Sequence, residues 1–417
     1  MEYCIFVNSE LSLIIKMIER GSYLKLLKQL KDQNIIKVIT GIRRCGKSTL
    51  LEAFMKELLN EGIAPENIIF LNFEERENLH LTNWTILYDE IIEKVISNKK
   101  YYVFLDEVQL INNFERLINS IFTKKNVDLY ITGSNAYLLS SELATLLTGR
   151  YISINLQPYS FKEYASAYSE EKNTDRLFRK YINESCFPEA VTLSKIDGNL
   201  VNAYLQSIYD TVIIKDISQR HSLRNVDNLH RVVSFLFDSI GSYVSPTNIA
   251  AQLNHNSQKK ISHNTIIKYL EFLTQSYILY SAPRYDIRGK ELLSTNGKYY
   301  VVDLGLKNIS ATNKYESDLG RKLENIVFFE LVRRGGKVYV GKHDDREIDF
   351  VVQRANNERE YYQISYTVTD EKTFNREISA FDRINDNYPK FLLTMDYDNM
   401  SIRGIQKINI IDWLLAL

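Results

Sequence analysis

The chain has 417 residues, enough for about two to four domains and a sizeable core. Its 52 Lys and Arg balance 52 Asp and Glu, so no net field draws it onto nucleic acid or a membrane. The 28 Tyr and 19 Phe argue against disorder, and six Pro and sixteen Gly leave little room for long linkers. Cys4, Cys45 and Cys186 are widely spaced and odd in number, which fits neither a disulfide framework nor a metal pattern. No stretch approaches 18 continuous apolar residues and no signal-peptide layout opens the chain, so a cytoplasmic protein without membrane contact is expected.

In chain order, residues 11–30 have the spacing of an amphipathic helix inside an N-terminal segment, 1–34. Strands and helices then alternate: strand 35–40, a helix from Lys47, strand 67–73, helix 87–96, strand 101–107, helix 114–122, strand 127–132, a short helix 142–147 and strand 151–156. Five strands with helical crossovers predict a parallel, helix-covered α/β sheet over 35–158, with ligands at the carboxyl ends of its strands. A helical lid is expected over 159–240. Over 241–310, helix, turn, helix and hairpin predict a winged helix. From 318 to 417 a helix (323–334), three strands (337–340, 347–352, 361–366), a helix (374–384) and a strand (391–395) follow.

Gly41-Ile42-Arg43-Arg44-Cys45-Gly46-Lys47-Ser48 is a complete G-x-x-x-x-G-K-[ST] string between a predicted strand and a predicted helix. Glycines let backbone N–H groups curl around phosphates, and the helix start adds positive dipole. With Thr49, these residues would hold ATP; Lys47 would reach the β/γ-phosphates and the Ser48 hydroxyl would ligate Mg²⁺. Cys45 occupies a variable position, where it is either a neutral filler or a redox-active thiol. The run Tyr101-Tyr102-Val103-Phe104-Leu105 ends in two acids: Asp106, placed to hold Mg²⁺, and Glu107, placed as the base that polarises the attacking water. An ATPase core is the reading.

Further candidates come from strand order. Gly133-Ser134-Asn135 closes a strand, where Asn135 could orient the water, although the same string is turn chemistry. Arg150, just before the next strand, could enter a neighbouring subunit's site as an arginine finger, which requires an oligomer. Asn72, Glu74 and Glu75 also fall on the ligand side of the sheet. Between Lys215 and Lys290, ten Lys or Arg face five Asp or Glu, net +5. Asn264, Thr265 and Lys268 would open a recognition helix, so weak DNA binding is one expectation and a protein-binding lid the other. At the C-terminus, Glu324 on a helix, Asp349 on a strand, and Gln363 and Ser365 on the next have the spacing of a PD-(D/E)xK metal nuclease. The lysine position is Ser365, which lacks the cation, so the site reads as degenerate and cleavage as lost.

These strings resemble the large group of prokaryotic AAA-type ATP-binding proteins that carry a C-terminal domain of unknown function. The resemblance spans nearly the whole chain. It rests on Ile39-Thr40-Gly41-Ile42-Arg43-Arg44, Asn72-Phe73-Glu74, Leu105-Asp106-Glu107-Val108-Gln109, Thr132-Gly133-Ser134-Asn135 and Gly149-Arg150. Pro158-Tyr159-Ser160-Phe161-Lys162-Glu163-Tyr164 and Phe187-Pro188-Glu189-Ala190 extend it. It implies ATP binding and hydrolysis, a cytoplasmic location, homo-oligomers, and a winged helix followed by a restriction-endonuclease-like fold. The expected function is ATP turnover coupled to conformational change on a macromolecular client. A nucleotide-gated DNA- or protein-binding switch, or an ATP-dependent nuclease, are the rivals.

Overall fold

The computed structural model describes residues 18–96, 98–136, 149–223, 225–255, 259–293, 297–310, 319–344 and 346–416. The apolar run before the phosphate string is strand β1 (Ile36–Thr40), and helix α2 (Lys47–Asn60) begins directly after Gly46. Strands β2 (Ile68–Asn72), β3 (Tyr101–Asp106), β4 (Val127–Gly133) and β5 (Tyr151–Asn155) complete a parallel sheet in the order β2-β3-β4-β1-β5. Every residue of β1 and β3 is buried, as expected for strands covered on both faces. Alternate residues serve opposite cores: Ile36, Val38, Val103 and Leu105 pack on one side, Ile39, Phe54, Phe104 and Tyr130 on the other. Helices α3 (Trp84–Lys94) and α4 (Phe114–Phe122) cover the first of these. The expected helix 142–147 and residues 1–17 lie outside the described residues. Among the described residues, helix α1 covers Gly21–Leu30 and residues 18–20 before it are not helical, so of the expected 11–30 helix the stretch 21–30 is seen. Arg20, just before it, turns inward to the Gln157 carbonyl and Glu163.

Helices α5 (Phe161–Ala167), α6 (Thr174–Asn183), α7 (Pro188–Leu193) and α8 (Gly198–Thr211) form the lid, closed by α9 (Val226–Asp238). Ser160 and Glu163 make a reciprocal capping box at the start of α5. Helix α8 does not end as an α-helix: after Thr211 it widens into a π-helical turn, Val212–Gln219. Helices α10 (Pro246–Asn254) and α11 (His263–Gln275), capped by Ser245 and Ser262, precede the hairpin β6 (Leu279–Ala282) and β9 (Lys298–Val301).

That hairpin departs from the expected boundary. Its excursion forms β7 (Arg284–Asp286) and β8 (Glu291–Leu292), and β7 pairs in parallel with β10 (Lys337–His343) of the C-terminal sheet. The part read as a separate wing is therefore an edge of the C-terminal unit. Beyond α12 (Leu304–Ser310), that unit runs α13 (Leu319–Arg333), β10, β11 (Arg346–Gln353), β12 (Arg359–Ile364), α14 (Glu371–Ser379) and β13 (Lys390–Thr394). Strands β14 (Met400–Ile402) and β15 (Ile405–Asn409) and helix α15 (Ile410–Leu415) were not legible in the pattern. Strands β10, β11 and β12 are antiparallel neighbours and β13 runs parallel to β12.

Candidate functional site: a phosphate loop facing two acids

The phosphate loop and the β3 acids meet at the carboxyl ends of β1 and β3. Gly41 is tightly enclosed, since a Cβ there would lie 2.1 Å from the Leu156 carbonyl oxygen, and Gly46 sits at φ 97°. Ser48 Oγ donates to Asp106 Oδ2 at 2.6 Å, so the two groups expected to share Mg²⁺ already touch. Thr132 on β4 holds the other Asp106 oxygen through its hydroxyl, and the Glu107 N–H donates to the same hydroxyl at 3.0 Å. Burial pushes the Asp106 carboxyl up, opposed by the hydrogen bonds from Ser48 and Thr132.

Glu107 adopts φ 58°, the left-handed region that non-glycine residues rarely occupy, and this aims its carboxylate back at the loop. Lys47 Nζ lies 3.2 Å from Glu107 Oε1 and 3.2 Å from the Gly41 carbonyl, and Gln109 holds the other Glu107 oxygen. Burial alone would raise the Glu107 carboxyl; Lys47, Gln109 and Arg43 outweigh it and hold the group below its ordinary value, ionised at neutral pH. Buried Lys47 likewise keeps its proton because Glu107 offsets desolvation. Cys45 is fully buried, which pushes its thiol up and favours the filler reading over a reactive thiolate. Arg44, at φ 66°, completes the loop, and Arg43 binds Glu74 and Asp216.

On the Thr49 side of the loop, a cavity of about 340 Å³ opens between Ile18, Arg20, Leu24, Thr49, Tyr159 and Pro188. That lies within the ~300–1,000 Å³ typical of small-ligand sites. Arg20 is buried there between the rings of Tyr23 and Tyr159, each 5.0 Å from its guanidinium carbon.

Asn135 is buried just past the end of β4, between the loop strand β1 and the acid strand β3. Asn72 stands level with Asp106 in the sheet, but its side chain serves the local turn with Glu74 and Glu75. Arg150 is exposed, and its carbonyl pairs with the N–H of Ile36 at the opposite end of β1. Five strand residues, about 16 Å, separate it from the loop of its own chain.

The C-terminal residues also converge, with one addition the sequence did not suggest. Glu324 (α13) lies near enough to Asp349 (β11) to act on it electrostatically, the Ile364 N–H donates to Asp349 Oδ2 at 2.7 Å, and Gln363 bonds Glu377 at 2.8 Å. Ser365 turns to the Thr367 carbonyl. A cation from β9 lies among these acids: buried Lys298 Nζ is 2.8 Å from Glu324 Oε1 and 2.5 Å from Glu347 Oε1. Tyr300 also donates to Glu324, at 2.6 Å. Burial pushes Glu324 and Asp349 up, while Glu324, Asp349 and Glu347 together keep Lys298 protonated against burial. Ser365 still occupies the motif's lysine position, and a lysine 67 positions before it lies beside these acids, already paired with two carboxylates. On α11, Asn264 and Lys268 are exposed and Thr265 half-buried, beside exposed Lys259 and Lys260.

A five-stranded parallel sheet with this loop and these acids defines an AAA-type ATPase domain of the P-loop class. Residues 33–165 match the model of an AAA domain, and residues 175–317 match a domain of unknown function, DUF8612. An uncharacterized protein of Haemophilus influenzae is 40% identical over 404 residues, covering 96% of this chain and 99% of that one, and the chain belongs to its family. An uncharacterized protein of Methanocaldococcus jannaschii is 29% identical over 439 residues, covering 99% and 91%. Among solved structures, the Walker-type ATPase of Pyrococcus abyssi is similar at 14% identity and TM-score 0.48, covering 70% of this chain and 95% of that one. No described helix is long and apolar enough to cross a membrane.

Proposed function

We propose that the protein hydrolyses ATP and couples turnover to movement of its lid and winged-helix elements on a macromolecular client. The observation that carries this is the meeting of Ser48, Asp106, Lys47 and Glu107 at one strand end, with Glu107 held ionised. The loop amides and Lys47 bind the phosphates, and Lys47 leaves Glu107 to do so. That releases a carboxylate able to take the proton of the attacking water, with Gln109 fixing its orientation. Mg²⁺, for which Ser48 and Asp106 are a fitting pair, supplies charge neutralisation at the β/γ-phosphates. Asn135 is placed to orient the water. The cavity beside Thr49 and Tyr159 is open to the loop and has room for the base and ribose. Arg150 acts in trans within a homo-oligomer; its exposure just before β5, away from the loop of its own chain, supports this reading.

The C-terminal unit is read as a PD-(D/E)xK-like fold that no longer cleaves. Its helix, three antiparallel strands, helix and parallel strand support the fold. Lys298 neutralises the acids that would gather a metal ion. The exposed start of α11, with Lys259, Lys260 and Lys268, supports weak, salt-sensitive contact with DNA phosphates. Steady-state phosphate release tests the central reading. Glu107→Gln should lower it at least about 100-fold, and Lys47→Ala should remove ATP binding. Wild-type turnover in both variants would reject the site.

A further inference from the structure

One buried acid near the phosphate loop belongs to none of the motifs. Asp216 has a side chain only 5% exposed and sits in the π-helical turn Val212–Gln219 of the lid. Arg43 Nε donates to both of its oxygens, at 2.9 and 2.8 Å, and Arg43 Nη1 donates to Glu74 Oε1 at 2.6 Å. The guanidinium is therefore bracketed from two sides: by the lid through Asp216, and by the turn after β2 through Glu74. Two of its five N–H donors are used, and Nη2 makes no hydrogen bond among the described residues. Glu107 lies close enough to act electrostatically on both Arg43 and Asp216, so the bracket stands beside the catalytic base. The winding of the turn matters too. A π-turn inserts one residue, which rotates the downstream chain by about 100° relative to an unbroken α-helix.

A bracketed arginine next to the base is more than a lid clasp. A clasp needs only one acid, and it would work equally well away from the loop. Here the cation belongs to the loop itself, and fixing it from both sides removes the rotamer freedom that an unrestrained arginine would lose in the transition state. We propose that Asp216 is a positioning residue for hydrolysis. From the lid it holds Arg43 at the γ-phosphate end of the loop, where the free donors of Arg43 stabilise charge developing on the transferred phosphoryl group. This rests on the ATPase reading. It adds that the lid must be closed onto Arg43 for turnover, so the π-turn is where nucleotide state and lid position meet.

The test uses the full chain with Asp216→Asn, Asp216→Glu, Arg43→Ala and the double variant Arg43→Ala/Asp216→Asn. Phosphate release gives kcat and KM, and the rise in melting temperature with a non-hydrolysed ATP analogue reports ground-state binding apart from turnover. Asp216→Asn should lower kcat about 10- to 100-fold, with KM within about 3-fold and the analogue-induced rise unchanged. Asp216→Glu should recover part of kcat. The double variant should turn over no more slowly than Arg43→Ala alone, because Asp216 acts only through Arg43. The proposal is overturned by wild-type kcat in Asp216→Asn, by losses that multiply in the double variant, or by a loss confined to KM and analogue binding. A wild-type protein without Lys47-dependent turnover would reject the ATPase reading and the proposal together. Normal wild-type turnover with an indifferent Asp216→Asn rejects only the proposal.

Discussion

Replacing Lys298 with Met should destabilise the C-terminal unit by about 3–5 kcal/mol near pH 8, the usual cost of removing one partner from a buried ion pair. Met keeps most of the aliphatic stem, so the loss isolates the ammonium rather than a cavity. What remains is Glu324, 12% exposed at its side chain, with Tyr300 as its hydrogen-bond donor and Asp349 as an acidic neighbour. Glu347 is 35% exposed and can be rehydrated, so Glu324 dominates the cost. The pH dependence has a definite sign. Burial already pushes Glu324 above its ordinary value and Lys298 pulls it back; without Lys298 the folded carboxyl rises further. A folded acid above its unfolded value, about 4.3, binds more protons than the unfolded chain, so stability falls as pH rises between the two. The deficit should therefore be smaller at pH 5 than at pH 8. In the wild type, Lys298 is raised above its ordinary value, so its contribution is fully present throughout that range. Two tryptophans make the assay local: Trp413 packs against Tyr362 in the C-terminal sheet, and Trp84 reports the ATPase domain. Urea unfolding followed by Trp413 fluorescence in a Trp84→Phe background gives the change. Lys298→Met/Glu324→Gln should recover most of the loss, because no unpaired charge remains on α13. A change below about 1 kcal/mol, or an equal change at both pH values, would refute the buried-pair account.

Arg150→Ala should leave ATP affinity near wild type while cutting turnover, and mixing it with Lys47→Ala subunits should restore part of the activity. A strictly monomeric protein with full turnover excludes the trans role. Changing Lys259, Lys260 and Lys268 to Glu should abolish weak duplex DNA binding without altering phosphate release; salt-independent binding would point to a protein client instead. Incubation with linear, supercoiled and branched DNA, with Mg²⁺ or Mn²⁺ and with or without ATP, should give no cleavage products. Cleavage that vanishes in Asp349→Ala would mean that Lys298, rather than blocking the acids, completes an active site.

The ATPase domain was legible because its signals are local. A phosphate loop needs a strand before it and a helix after it, and Ile36–Thr40 and Lys47–Asn60 carry those periods without ambiguity. Asp106 and Glu107 were placed by the same logic, a buried strand ending in acids. What escaped depends on contacts across long sequence separations. Thr132, 26 positions from Asp106, is an ordinary strand threonine until the β3–β4 register brings the two together. Asp216 is 173 positions from Arg43, and no period reports that a helix will widen into a π-turn. Lys298 lies in the β6–β9 hairpin, so a motif that looks for its lysine after β12 finds only Ser365. The β7–β8 excursion read as a polar wing because β7, at three residues, is too short for alternation to show which sheet it joins.

These long-range ties also decide which parts can move together. The β6–β9 hairpin element and the C-terminal unit share the β7–β10 pairing, the Lys298–Glu324 pair and two hydrogen bonds between Asn325 and Val301 at 2.9 Å each. Asp303, next to that hairpin, accepts from the Cys186 N–H at 2.7 Å and from Ser185 at 3.1 Å, just before α7 of the lid. A Cβ on Gly305 would lie 2.8 Å from Ser185, so α12 is pressed against the lid there. The helices α5–α9, the β6–β9 hairpin element and the C-terminal unit are thus packed together, and packed interfaces shift between discrete arrangements rather than deforming smoothly. Toward the ATPase domain and its N-terminal helix, the polar contacts include Arg20 to Glu163 at 3.2 Å, Tyr280 to Asn155 at 2.9 Å, Arg333 to the Pro158 carbonyl at 3.1 Å, and the Arg43–Asp216 bracket. Of these, only the bracket reaches the phosphate loop. A change at the γ-phosphate end therefore has a physical path to that body through Arg43. Spatial continuity alone does not establish coupling. The cycle between Arg43→Ala and Asp216→Asn measures it directly, and weakening it should leave DNA contact intact while uncoupling that contact from ATP.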